Sequence, residues 1–321
     1  MLDHGGNLDQ AMRRFGGRPD DWIDLSTGIN RRPYPVPELA LRHWTALPSR
    51  SDIERLQDAA RQAYATPARV LALPGAQAAI QLLPHWLVRG GARILSPTYH
   101  EYAEVLRAAG WDVRDVADLD ALAGADLAIV VNPNNPDGRV HDSSALLALL
   151  PRVGRLVVDE SFADAMPGLS LAPQAGRSSL LILRSLGKFY GLAGLRLGFV
   201  LGPETDLAAL ARLAGPWPVS GPAIAIGRQA LWDRAWAEAT SARLAEEVPR
   251  LDGMAQNAGW RLVGGTLLFR LYEVGDAAAA QERLARAKIW SRIFRDRPGW
   301  LRLGLPGDAA EWARLAAALS R

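Results

Sequence analysis

The chain has 321 residues, 49% hydrophobic and 22% charged, the balance of an ordinary globular protein. Its 37 Lys and Arg residues barely exceed its 34 Asp and Glu, so no field strong enough to gather nucleic acid is expected. With no cysteine, it has no disulfide, no thiolate metal site and no cysteine nucleophile.

Residues 1–45, with Pro33, Pro35 and Pro37 clustered, read as an irregular arm that contributes to a smaller domain. The opening Met1-Leu2-Asp3-His4-Gly5-Gly6 lacks a basic segment followed by an apolar run, so no signal peptide is expected. No later apolar stretch approaches the roughly 20 residues that span a bilayer. A cytoplasmic protein with no membrane partner is the expectation.

Residues 46–205 form the expected large domain. Short β-rich runs at 70–73, 93–95, 111–113, 127–131, 156–158, 180–183 and 197–201 alternate with helical patterns such as 76–87, 101–109 and 143–150. Apolar strands separated by helices predict an α/β fold with a mostly parallel sheet covered on both faces. Residues 206–321 change character. Long helical patterns, notably 223–248, precede strand candidates at 267–271 and 300–303, which predicts a small C-terminal α+β domain.

Each polar cluster of the large domain sits just past the carboxyl end of a predicted strand. These are Gly75-Ala76-Gln77, Pro97-Thr98-Tyr99, Asn132-Pro133-Asn134-Asn135-Pro136, Asp159-Glu160 and Ser185-Leu186-Gly187-Lys188. In open α/β sheets ligands bind outside the carboxyl ends of the strands, so five clusters on one edge describe a site.

Lys188 follows an apolar run and stands between Gly187 and Gly191, where a desolvated amine can act as a nucleophile. Ser185 and Arg196 flank it, a hydroxyl and a guanidinium suited to a phosphate. Gly75-Ala76-Gln77 opens a helix after a strand, so its free N–H groups and the helix dipole favour an anion. Asp159 closes a strand; taken alone it reads equally well as a turn or capping residue. Tyr99 alone reads as core packing, and Asn132 as a turn-former bonded to its own backbone. His4, His43, His85, His100 and His141 are scattered without ligand spacing, and no metal site is expected.

The stretch Ser185-Leu186-Gly187-Lys188-Phe189-Tyr190-Gly191-Leu192-Ala193-Gly194-Leu195-Arg196-Leu197-Gly198 resembles the lysine motif of class I/II aminotransferases. The resemblance implies the aspartate-aminotransferase-like fold type I, a homodimer, and pyridoxal 5'-phosphate as cofactor. It also implies that Lys188 binds this cofactor covalently and serves Cα as proton shuttle, and that Ser185, Arg196 and the 75–77 turn hold its phosphate. Asp159 would pair with the ring nitrogen, Asn135 would donate to the ring 3′ oxygen, and Tyr99 would stack on the ring. A serine hydrolase also uses a Ser-x-x-Lys pair, but its companion motifs are missing here.

Two departures stand out. The family usually has tyrosine three residues after the aspartate, where this chain has Phe162. Asn135 is then expected to carry more of the 3′ oxygen's stabilisation, and the lysine–cofactor adduct to titrate at higher pH. At Leu47-Pro48 many relatives have a tyrosine that reaches the partner subunit's cofactor phosphate, and this chain has no such tyrosine there.

Three further segments narrow the branch. His4-Gly5-Gly6-Asn7, Asp24-Leu25-Ser26-Thr27-Gly28-Ile29-Asn30 with Tyr34-Pro35, and Asn134-Asn135-Pro136-Asp137-Gly138-Arg139 are similar to threonine-phosphate decarboxylases of cobalamin biosynthesis. The similarity implies decarboxylation of a small phosphorylated amino acid, L-threonine O-3-phosphate. Arg302 matches the family arginine for the α-carboxylate. Arg292 and His4 are candidates for the substrate phosphate, the Gly28-Ile29-Asn30 turn for closure over the carboxylate, and Asn135 is a candidate substrate contact as well as a cofactor one. The alternative is a histidinol-phosphate-type aminotransferase, since both reactions share their early steps.

Overall fold

A computed structural model describes residues 5–320. The strands in chain order are β1 (Ile23–Asp24), β2 (Arg69–Leu73), β3 (Gly91–Leu95), β4 (Asp112–Val116), β5 (Leu127–Val131), β6 (Arg155–Asp159), β7 (Leu180–Ser185), β8 (Gly198–Gly202), β9 (Arg261–Gly265), β10 (Phe269–Glu273), β11 (Ile289–Trp290), β12 (Arg292–Phe294) and β13 (Arg297–Gly304). The α-helices are α1 (Leu8–Phe15), α2 (Arg42–Thr45), α3 (Arg50–Ala63), α4 (Ala76–Trp86), α5 (Glu101–Ala108), α6 (Ser143–Leu147), α7 (Glu204–Ala214), α8 (Gly221–Trp232), α9 (Arg234–Asn257), α10 (Ala277–Arg286) and α11 (Ala309–Leu319). Two compact units result. One comprises Tyr34–Asn135 with Arg139–Glu238, the other the stretch through Pro33 with Pro136–Gly138 and Ala239–Arg321.

The first unit is built on a seven-stranded sheet of order β2-β8-β7-β6-β5-β3-β4. Pairing is parallel from β4 through β7, and β8 lies antiparallel between β7 and β2. Every residue of β5, β7 and β8 is buried, which explains their near-continuous apolar sequences: strands covered on both faces do not alternate. Ile80 and Leu83 of α4, Tyr102 and Leu106 of α5, and Leu210 of α7 share one core cluster with Ile94, Ile129, Val157 and Leu181 of the sheet. Each such side chain contributes about 1.5–3 kcal/mol, and Ile129→Ala would cost about 2–5 kcal/mol.

The helix expected over 223–248 is two helices. At Asp233 the backbone leaves helical dihedrals (φ −82°, ψ 74°), and its Oδ1 accepts the Trp236 N–H at 2.9 Å, capping the next helix. Both α7 and α8 belong to the sheet unit, where α7 packs on α4 and β2 and α8 on α3. The division therefore falls near residue 238, where the sequence suggested 206. At the other end it falls after Pro33, where the sequence suggested 45.

The second unit holds a four-stranded antiparallel sheet of order β12-β13-β10-β9 and a two-stranded parallel ribbon of β1 and β11. The opening stretch is more regular than an arm. In α1, Asn7 accepts the Gln10 N–H at 3.4 Å as N-cap, and Trp22 joins Ala11, Ala285 and Trp290 in a small apolar cluster. Strands β9 and β12 escape sequence patterning because neither alternates: their residues are half-buried or exposed throughout. Among the described residues no helix is long and apolar enough to cross a membrane.

Candidate active site

Strand register in the first unit places the polar clusters along one edge of the sheet. Val131 pairs with Asp159, and Asp159 with Leu183. Two residues on, Ser185 pairs with Gly198, which pairs in turn with Leu73. The ends of β2, β5, β6 and β7 thus lie beside the start of β8.

At the β2 end, Gly75 (φ +83°) turns the chain into α4. A Cβ on Gly75 would lie 2.9 Å from Arg196 Nη2, so glycine is what lets the guanidinium lie against this turn. A side chain on Gly198 would collide with the Ala76 backbone nitrogen, which keeps β8 close to the first turn of α4. Arg196 itself is left-handed (φ +53°), and its Nη1 donates to Ala193 O at 3.1 Å. Ser185 is buried, and its hydroxyl accepts the Gly187 N–H at 3.2 Å. Backbone amides, a hydroxyl and a guanidinium converge here as an anion cradle.

Asp159 is buried at the end of β6. Its Oδ1 accepts the Ser161 N–H at 2.9 Å, and its Oδ2 accepts the Tyr102 O–H at 2.7 Å. The Tyr99 hydroxyl donates to Gln77 Oε1 at 3.2 Å, and Gln77 Nε2 donates to Glu101 Oε2 at 2.8 Å. Burial pushes the Tyr99 hydroxyl up to about 12, reinforced by the charges of Glu101 and Asp159 and opposed by Arg196. Tyr99, Asp159 and Arg196 therefore share one electrostatic neighbourhood. The Lys188 amine lies 5.6 Å from the centre of the Phe162 ring, so the residue in place of the family tyrosine faces the lysine.

Asn135 follows Asn134, whose side chain accepts from Thr98 Oγ1 at 2.6 Å and donates to Pro97 O at 2.9 Å. Asn132 does not bond its own backbone as expected. It closes the loop to His141, accepting that N–H at 2.9 Å and donating to that carbonyl at 3.2 Å. Every residue expected to bind the cofactor belongs to this unit, and the structure places Tyr102, which no sequence motif singled out, against Asp159.

Of the described residues expected at the substrate, Asn135 belongs to the sheet unit, while Gly28, Asn30, Arg292 and Arg302 belong to the other. Arg302 is buried in β13 and donates to Ser26 O at 2.9 Å. Burial, then the charge of Arg292, pulls its guanidinium down to about 10, against the pull of Asp24. Arg292 stands directly opposite Arg302 in the β12–β13 register. Gly28 is buried two residues beyond the Ser26 carbonyl that Arg302 holds. The Asn30 side-chain oxygen accepts from Arg32 N and from Arg243 Nη2, both at 3.0 Å, so it serves the turn itself. His4 lies outside the described residues.

An anion cradle, a doubly held carboxylate and an amine on one sheet edge suit a phosphorylated aromatic aldehyde. The family described as "Aminotransferase class I and II" matches residues 40–319. The chain is 47% identical to a protein named threonine-phosphate decarboxylase from Sinorhizobium sp, covering 99% of this chain and 97% of that one. It is 44% identical, with the same coverage, to a protein of that name from Pseudomonas aeruginosa. A solved histidinol-phosphate aminotransferase from Sinorhizobium meliloti, in complex with pyridoxal-5'-phosphate, superposes with a TM-score of 0.81 at 21% identity, covering 99% of this chain and 94% of that one. The aspartate-aminotransferase-like α/β fold expected from the sequence is thus present. The chain belongs to the class I and II aminotransferase family.

Proposed function

We propose that this protein is a pyridoxal 5'-phosphate-dependent decarboxylase that converts L-threonine O-3-phosphate to (R)-1-amino-2-propanol O-2-phosphate in cobalamin biosynthesis. The observation that carries the reading is the identity of 47% and 44% to two proteins named threonine-phosphate decarboxylase, each match spanning 99% of this chain.

Gly75, Ala76, Gln77, Ser185 and Arg196 would hold the cofactor phosphate, Asp159 its ring nitrogen, Asn135 its 3′ oxygen and Tyr99 its ring, and Lys188 would supply the amine for its aldehyde. When bound, the ring is an electron sink for the pair left at Cα as the bond to the carboxyl group breaks. Both Asp159 oxygens accept hydrogen bonds from the protein, which orients the carboxylate. Lys188 brings the proton that replaces the carboxyl group at Cα. Arg302 binds the substrate carboxylate, and Arg292 with His4 the substrate phosphate. Support comes from their charges: two arginines directly opposite on adjacent strands repel, and a dianionic substrate relieves that repulsion. The Gly28 turn orients the carboxylate through its backbone.

The protein acts in the cytoplasm as a homodimer. Pairing is supported by Val36, Leu41, Trp44 and Leu47, large apolar side chains exposed along one stretch of chain. The test is carbon dioxide release from threonine phosphate with no 2-oxo acid present. Release supports the decarboxylase. No release, with amine transfer from histidinol phosphate to a 2-oxo acid, overturns it.

A further inference from the structure

We propose that Tyr102 is a positioning residue for the cofactor, its hydroxyl fixing the orientation in which Asp159 meets the ring nitrogen. The inference rests on the cofactor reading above and deepens it.

The χ2 torsion of an aspartate is broad, so a single donor leaves the carboxylate plane free to swing. The Ser161 N–H on Oδ1 is such a donor, and it comes from only two residues further along the same chain segment. The Tyr102 hydroxyl holds the other oxygen at 2.7 Å and comes from α5, a separate element. Two donors from two directions fix the plane, and each oxygen keeps a lone pair for one more proton. The tyrosine is itself anchored. It is fully buried, and Tyr99 packs on it edge to face with ring centres 6.4 Å apart. Burial, then the charge of Asp159, holds the hydroxyl well above its ordinary range, so it remains a donor at any working pH. The loop entering α5 and its first turn thus set two groups aimed at one ring: Tyr99 for its face and, through Tyr102, Asp159 for its nitrogen.

The test compares two ligands on Tyr102→Phe, which keeps the ring and removes only the hydroxyl. The first ligand is pyridoxal 5'-phosphate. The second is its 1-deaza analogue, in which a C–H replaces the ring nitrogen and so offers Asp159 nothing to pair with. Spectral titration of the full-length apoprotein is expected to show the cofactor bound about tenfold more weakly by the variant, the scale of a hydrogen bond to a charged group. The analogue is expected to bind wild type and variant within about twofold of each other. A merely structural role would weaken both ligands alike, and that result overturns the proposal, as does unchanged binding of the cofactor. Should the phenylalanine variant not fold, 4-fluorophenylalanine at position 102 fills the hydroxyl's space without donating and is read by the same criterion. Wild type that binds neither ligand overturns the cofactor reading and this inference with it.

Discussion

Replacing Arg184 with methionine removes the cation of a buried cluster whose members flank two of the candidate site residues in sequence. Arg184 precedes Ser185, and its partner Glu160 follows Asp159. Arg184 Nη1 donates to Glu160 Oε2 at 2.7 Å and Nη2 to Asp164 Oδ1 at 2.7 Å, and the three side chains are 4%, 0% and 5% exposed. The guanidinium also lies over the Tyr64 ring, 4.3 Å from its centre. Without it two carboxylates remain buried with no counter-charge, which costs about 3–5 kcal/mol. At about 2.1 cal/mol/K of unfolding entropy per residue over 321 residues, the midpoint falls by about 4–7 °C. The loss must depend on pH. Burial holds the Glu160 and Asp164 carboxyls above the ordinary carboxylate range even though Arg184 opposes it, and removing Arg184 raises them further. A carboxyl whose folded value lies above its unfolded value destabilises the fold when ionised, and protonation relieves this as pH falls through the raised value. The deficit is therefore largest near pH 8 and shrinks toward about pH 5. Urea unfolding of both apoproteins at the two pH values measures it. A deficit under about 1 kcal/mol, or one equal at both pH values, refutes the reasoning.

Three other substitutions probe the site. Gly75→Ala places a Cβ 2.9 Å from Arg196 Nη2 on a left-handed backbone. It should weaken cofactor binding about tenfold or more and cost about 1–2 kcal/mol of stability, read by spectral titration and unfolding. Arg302→Lys loses the planar two-pronged donor, so the KM for threonine phosphate should rise about tenfold while cofactor affinity holds in the same titration. Phe162→Tyr restores a hydroxyl beside the Lys188 amine. The visible chromophore of the lysine–cofactor adduct should then titrate at lower pH, and an unchanged titration counts against the role assigned to Asn135.

The placing of the candidate cofactor residues on one sheet edge was legible because they sit in short motifs at strand ends, where position along the sequence converts directly into position along that edge. All seven strands of the large sheet were anticipated to within a few residues, since a strand buried on both faces is an apolar run bounded by turns. What sequence could not reveal depends on contacts between distant segments. Tyr102 reads as one more apolar position of α5, and only the packing of α5 beside β6 brings its hydroxyl to Asp159. The break at Asp233 was hidden because the residues on both sides keep helical periodicity, while a capping carboxylate interrupts the backbone. Residues 1–45 looked irregular partly because the partner of the two-residue β1 lies some 266 positions later, in β11. The Arg292–Arg302 pairing likewise belongs to strand register and leaves no mark in either strand's own sequence.

The most direct measurement is a peptide map of the protein after incubation with pyridoxal 5'-phosphate and borohydride reduction, which fixes the cofactor to whichever amine had bonded its aldehyde. The account predicts a single modified peptide, carrying the adduct on Lys188, and none in Lys188→Ala. A label on another lysine, or no label on the folded wild type, contradicts it.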